Sequence, residues 1–172
     1  GQIVSVRTVT QSVHRDFGGV VPELAGRSHL QLVDRLTHEA SAEARIPLDQ
    51  IDVVSATAGP GLIGSLLVGL SYARGLAFAL SKPFRSVHHL EAHLWSAEIE
   101  FGELPLPFLV LLVSGGHTLI VQVEGLRCYT VLGTTVDDAL GEAYDKVGKL
   151  LGLGFPAGAE VDRLAAQGNP CR

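Results

Sequence analysis

"IDVVSATAGPGLIGSLLVGLSYARGLAFALSKPFRSVH", Ile51 to His88, reads in succession as a strand, a glycine turn, a helix and a second strand. Ile51, Val53 and Val54 give the opening of this stretch the β-branched content of a strand. The helix that follows, "PGLIGSLLVGLSYARGLAFAL", is apolar almost throughout. Arg74 interrupts it, and the uncharged run before Arg74 is too short to span a bilayer, so it reads as a buried helix. "SKP" closes it and "PFRSVH" is a short strand. Downstream, "PFLVLLV" is a wholly apolar strand and "SGGH" a turn. "TLIVQVE" alternates apolar and polar residues as a half-buried strand does. "LRCYTVLG" continues the same meander. Upstream, "QIVSVRTVT" has strand composition, and a helix runs from Pro22 through "PELAGRSHLQLVDRLTHEASAEA", proline suiting a first helical position. "PLDQ" reads as a loop. The chain closes on two helices, "VDDALGEAYDKVGKLLGL" and "EVDRLAAQ". Strands and helices mixed in this way define an α/β chain with a partly antiparallel sheet.

The composition agrees. With 172 residues, 47% hydrophobic and 18% charged, the chain is long enough to bury a core and too apolar for disorder. A net charge of -5 argues against tight, unaided binding of nucleic acid. Cys128 and Cys171 stand far apart in no metal spacing, so no disulfide framework is indicated and a reducing, cytoplasmic setting is expected. No secretory signal pattern opens the sequence. The chain contains no methionine and begins "GQIVSV", as a processed or partial sequence would.

Four segments carry chemistry. "GPGLIG", Gly59 to Gly64, matches the dinucleotide-binding pattern between a strand and a helix. No Asp or Glu follows before Glu91 to hold a ribose, so a tight strand-to-helix turn is the better reading. "SVHHLEAHLWS", Ser86 to Ser96, reads as a helix ending near Phe101-Gly102. His89 and His93 sit at i and i+4 on one face of it, where two imidazoles can share an ion, although two ligands alone do not make a site. A zinc protease would need its glutamate directly after the first histidine. That place is Leu90, and Glu91 points away. Ser114-Gly115-Gly116 can form a concave nest of amides if the glycines take positive φ, or a plain hairpin turn. In the acidic helix, Thr135 stands three residues before Asp138 as a capping arrangement would. Leu140, Ala143, Tyr144, Val147, Leu150 and Leu151 form the expected buried stripe. Asp138, Glu142 and Asp145 share the opposite face, either simply solvated or set to bind hydroxyls or a cation.

Taken in order, "TAGPGLIGSLLVG", "VHHLEAHL", "LLVSGGHT", "DDALGEAYDKVGKLLGL" and "AAQG", with "GGVVPELAGRSH" ahead of them, resemble the TsaD family, the tRNA threonylcarbamoyladenosine biosynthesis transferases once described as sialoglycoprotein endopeptidases. The resemblance implies an actin/Hsp70-like ATPase (ribonuclease-H-like) fold, a mixed sheet flanked by helices. It implies transfer of a threonylcarbamoyl group from its adenylate to the N6 amine of the tRNA adenosine beside the anticodon. It marks His89 and His93 as ligands of one divalent metal ion, iron or zinc. It marks Leu112, Val113, Ser114, Gly115 and Gly116 as the loop that holds threonylcarbamoyl-AMP, or ATP or AMP. Asp145 and Asp162 match ribose-binding aspartates and Gly158 a backbone contact. No catalytic base is assigned. The implied partners are tRNA, a paralogous dimerisation partner and a small ATPase, with self-association of the chain a further expectation and no membrane.

This sequence departs from the family in reading "FPAGA", Phe155 to Ala159, where members read "YPGGP". The "ETSCD"-type phosphate loop is absent, as is a carboxyl-terminal lobe supplying an asparagine contact and an aspartate ligand. Residues 1–172 are therefore expected to be an amino-terminal lobe lacking its first strand, inactive by itself. A non-catalytic paralogue of the same fold is the alternative, and the histidine pair counts against it. A metallopeptidase is disfavoured by the place of Glu91.

Overall fold

The computed structural model describes residues 2–11, 17 and 20–169. The described residues fall into two compact units that divide between Gly102 and Glu103, with residues 2–11 in the first.

In the first unit, helix α1 (Pro22–Ala44) starts on its proline and ends at Arg45, whose φ of 56° is left-handed. Strands β1 (Val54–Gly59) and β2 (Phe84–His88) pair in parallel, with Val54 opposite Phe84 and Thr57 opposite Val87. Parallel neighbours need a crossover, and helix α2 (Ile63–Ala79) supplies it. Small residues bring elements close: Ala25, Ala73 and Ala77 are buried. A Cβ added at Gly26 of α1 would lie 3.5 Å from the Gly64 carbonyl carbon of α2. "GPGLIG" is thus the strand-to-helix turn expected, with helix packed on helix beside it. The Tyr72 hydroxyl of α2 donates to Asp34 of α1 at 3.0 Å, and burial raises that phenol above its ordinary pKa.

Three expectations need correction here. "QIVSVRTVT" forms no strand. No strand among the described residues pairs with it, and β content becomes a strand only with a partner ladder. Side chains tie the segment to α1 instead: Ser5 Oγ donates to Glu43 at 2.7 Å and Arg7 pairs with Glu43 at 3.3 Å. "PLDQ" is a turn of 3-10 helix, Leu48–Gln50. The histidine helix is two short ones, α3 (His89–Leu94) and α4 (Glu98–Phe101). Ser96 Oγ donates to the His93 carbonyl at 2.8 Å, a local bond that competes with continuing the helix.

In the second unit, β3 (Phe108–Val113), β4 (Thr118–Gly125) and β5 (Cys128–Thr134) form an antiparallel meander in sequence order. Alternation sorts its faces: Leu112, Val121 and Val123 are buried, while Leu109 and Leu111 are each 66% exposed. Helices α5 (Leu140–Leu150) and α6 (Gly158–Ala165) follow. The α/β class with parallel and antiparallel pairing is as expected. Helix α5 is not. It starts at Leu140 rather than Val136, and Thr135 does not cap it, because Thr135 Oγ1 donates to the Asp138 carbonyl at 2.8 Å. Leu140, Val147, Leu150 and Leu151 are exposed, so the expected stripe is not the packed face. The helix packs through Gly148, where its backbone meets α6. No helix among the described residues is long and apolar enough to cross a membrane.

Candidate functional site

The candidate residues lie in both units. In the first, β2 runs straight into α3, which puts His89 at the first position of the helix and His93 one turn later. Buried Leu94 anchors α3 and leaves both histidines exposed. Their Nε2 atoms stand 3.3 Å apart, with the rings edge to face. Two nitrogens held about 2.05 Å from one tetrahedral ion are separated by about 3.3 Å. The pair therefore has the spacing of two adjacent ligands. Among the described residues no third His, Cys, Asp or Glu joins them.

In the second unit, Leu112 is buried and Val113 pairs with Thr118 to close the β3-β4 hairpin. Ser114 to His117 are its turn. Ser114 N–H donates to the His117 carbonyl at 2.8 Å, and Ser114 Oγ accepts from the His117 amide at 3.0 Å and the Gly116 amide at 3.4 Å. Neither Gly115 nor Gly116 has positive φ, so the nest expected from that conformation is not present. The serine hydroxyl already holds one of the amides that would have formed it, that of Gly116, together with the neighbouring His117 amide. What the glycines supply is room, since a Cβ at either would meet nothing within 4 Å.

Helix α5 connects this turn to the aspartates. Its Gly141 N–H donates to the Ser114 carbonyl at 3.2 Å, and the Leu140 N–H donates to Thr118 Oγ1 at 2.8 Å. One turn on, Asp145 Oδ1 accepts from the Ala157 N–H at 2.7 Å. Ala157 precedes Gly158, the first residue of α6, and exposed Asp162 lies one turn further along α6. Asp145 of α5 and Gly158 and Asp162 of α6 thus lie along one pair of helices, and the turn is bonded to the start of α5. Asp138 and Glu142 do not join Asp145. They hold Lys146 at 2.6 and 3.3 Å, and the Asp138 hydrogen bond, then that of Glu142, pushes the lysine pKa up. These two acids are a solvated ion-pair cluster.

Gly141 and Gly148 are the positions that sequence reasoning passed over. They are seven residues apart and so share a helix face, with Asp145 between them. Glycine inside a helix costs about 1 kcal/mol against alanine, and two on one face signal close backbone approach. Of the hollows in the surface, one of about 440 Å³ lies beside Gly154, Phe155, Pro156 and Glu160, next to the start of α6. A larger one, about 640 Å³, runs along α1 and includes none of the candidate residues.

The site and its scaffold can be set beside known proteins. Residues 2–172 match the family model "TsaD: tRNA N6-adenosine threonylcarbamoyltransferase". The tRNA N6-adenosine threonylcarbamoyltransferase of Brucella anthropi is 53% identical over 173 residues, covering 100% of this chain and 48% of that protein. The protein of the same name from Prosthecochloris aestuarii is 51% identical over 174 residues, covering 99% of this chain and 50% of its own. Among solved structures, YeaZ from Pseudomonas aeruginosa aligns with a TM-score of 0.44 and 22% identity, over 61% of this chain and 49% of that one. The fold is α/β, with one parallel and two antiparallel strand pairings among the described residues. The chain belongs to the TsaD family. It spans about half the length of the relatives it matches.

Proposed function

We propose that this chain carries the adenylate-binding and part of the metal-binding apparatus of a threonylcarbamoyl transfer to tRNA. The observation that carries the reading is the continuity from Ser114 through Gly141 and Asp145 to Ala157 and Gly158, inside a chain of this family. The open face at Gly115 and Gly116, where an added Cβ meets nothing within 4 Å, would admit the phosphate or acyl end of threonylcarbamoyl-AMP. Asp145 Oδ1 is committed to the Ala157 amide, which orients the carboxylate and leaves Oδ2 to accept from a ribose hydroxyl. Asp162 would take a second hydroxyl, and Gly158 allows the backbone to approach. Leu112 and Val113 fix the turn by their places in β3.

In the reaction, the adenosine N6 nitrogen forms a bond to the carbamoyl carbon. The bond from that carbon to the phosphate oxygen breaks, AMP leaves with the electron pair, and the amine loses a proton. His89 and His93 would hold one iron or zinc ion, which as a Lewis acid polarises a bound oxygen and stabilises charge on it. A net charge of -5 argues against unaided binding of tRNA, and the family resemblance implies a paralogous partner and a small ATPase beside this chain.

The test is AMP binding by calorimetry. Asp145→Asn keeps an oxygen for the Ala157 amide but removes the charge. Hydrogen bonds to a charged group contribute about 1.5–3 kcal/mol, so AMP should bind roughly ten- to a hundredfold more weakly, whereas 2′,3′-dideoxy-AMP should bind wild type and variant alike. Equal AMP affinity in the two proteins would remove Asp145 from the site.

A further inference from the structure

We propose that Gly141 is a positioning residue for the Ser114–Gly116 turn, setting its place relative to Asp145; the claim about ligand binding rests on the adenylate reading above. A Cβ at Gly141 would stand 2.6 Å from the Ser114 carbonyl oxygen, 2.8 Å from its carbonyl carbon and 2.8 Å from Gly115 Cα. All three are backbone atoms, so no rotamer change relieves the overlap. The bare backbone of Gly141 is what lets the first turn of α5 seat against the hairpin, and its N–H then fixes the Ser114 carbonyl at 3.2 Å. The bond from the Leu140 amide to Thr118 Oγ1 holds the same helix turn to the opposite strand of the hairpin. Because Asp145 is one helical turn beyond Gly141, the seat at Gly141 sets the distance between the Ser-Gly-Gly turn and the aspartate. Any alanine there must shift the Ser114–Gly115 backbone, or α5, by several tenths of an ångström.

The test uses the 172-residue chain with Gly141→Ala, Thr118→Val and Val121→Ala. Thr118→Val keeps the shape and removes only the acceptor of the Leu140 amide. Val121→Ala thins the buried side of the same sheet and is the control for lost stability. The first readout is the amide spectrum of isotopically labelled protein without nucleotide, the second AMP affinity. Gly141→Ala should move the amide resonances of Ser114 to His117 and weaken AMP at least tenfold. Thr118→Val should do the same to a smaller degree. Val121→Ala should lower the melting temperature and leave AMP affinity within twofold of wild type. Should Gly141→Ala not fold, Thr118→Val decides. Turn amides unmoved in the folded variants overturn the positioning role, as does an AMP loss equally large in Val121→Ala. Moved amides in a protein whose wild type shows no AMP response at Ser114 to Gly116 support the positioning role and remove the adenylate reading instead.

Discussion

Gly148→Ala is expected to unseat α6 and to take Gly158 and Asp162 out of line with Asp145. The new Cβ would collide with the Cβ of Ala157 and lie 3.4 Å from Val161 Cγ2 and 3.5 Å from Ala157 Cα. Ala157 is 1% exposed and its amide is bonded to Asp145, so it has neither a rotamer nor free space to give. Overpacking of this kind costs about 1–3 kcal/mol. The gain from replacing a helical glycine, about 1 kcal/mol, offsets part of it. A net loss of about 1 kcal/mol should lower the melting temperature by roughly 3 °C in a chain of this size. The site should suffer more than the fold, because α6 moves as a body away from Asp145. A cycle with Ala157→Gly checks the mechanism: the second substitution removes the atom that the first strikes, so the pair should recover most of the lost stability. Additive losses in the double variant would show that the cost arises elsewhere.

How far such a site can be read from sequence depends on what the signal records. Spacing records geometry directly where the element is regular. The i and i+4 places of His89 and His93 were enough to put both rings on one side of α3, and the alternation in "TLIVQVE" was enough to bury Val121 and Val123. Pro22 marked the start of α1 to the residue. Composition records only a preference. "QIVSVRTVT" prefers the extended state, yet no strand among the described residues pairs with it.

Glycine records only permission. Gly115 and Gly116 allow positive φ and do not use it, whereas Gly141 and Gly148, which look like defects in an amphipathic helix, are where α5 meets its neighbours. The apolar stripe of α5 misled for the same reason. Counting large side chains finds contacts made by side chains, and α5 packs by backbone approach while Leu150 stays 87% exposed. Asp145 was singled out with Asp138 and Glu142 because all three share a helical spacing. Only the amide of Ala157, twelve residues away, separates the one that orients α6 from the two that hold Lys146.

Replacing both His89 and His93 with alanine is expected to abolish binding of a transition metal, the largest effect of any change considered. The 3.3 Å between the Nε2 atoms already matches two adjacent tetrahedral ligands, so the pair needs no change of spacing to take an ion. Each single variant leaves one imidazole, and each should weaken zinc at least tenfold, about 1.4 kcal/mol. His88 provides the control. It is exposed and next to His89 in sequence, but it ends β2 opposite Gly59, where the strand rather than the helix sets its direction. His88→Ala should therefore keep its metal. Both histidines of the pair are exposed, so their removal should leave the fold intact, and equal circular dichroism spectra would establish that the loss is local. Among the described residues no third ligand stands beside the pair, so water would complete the coordination sphere. Measured by elemental analysis after dialysis against zinc or iron(II), metal content that is equal in the wild type and the double variant would falsify the site at α3. Loss of metal from His88→Ala as complete as that from His89→Ala would move it to the end of β2.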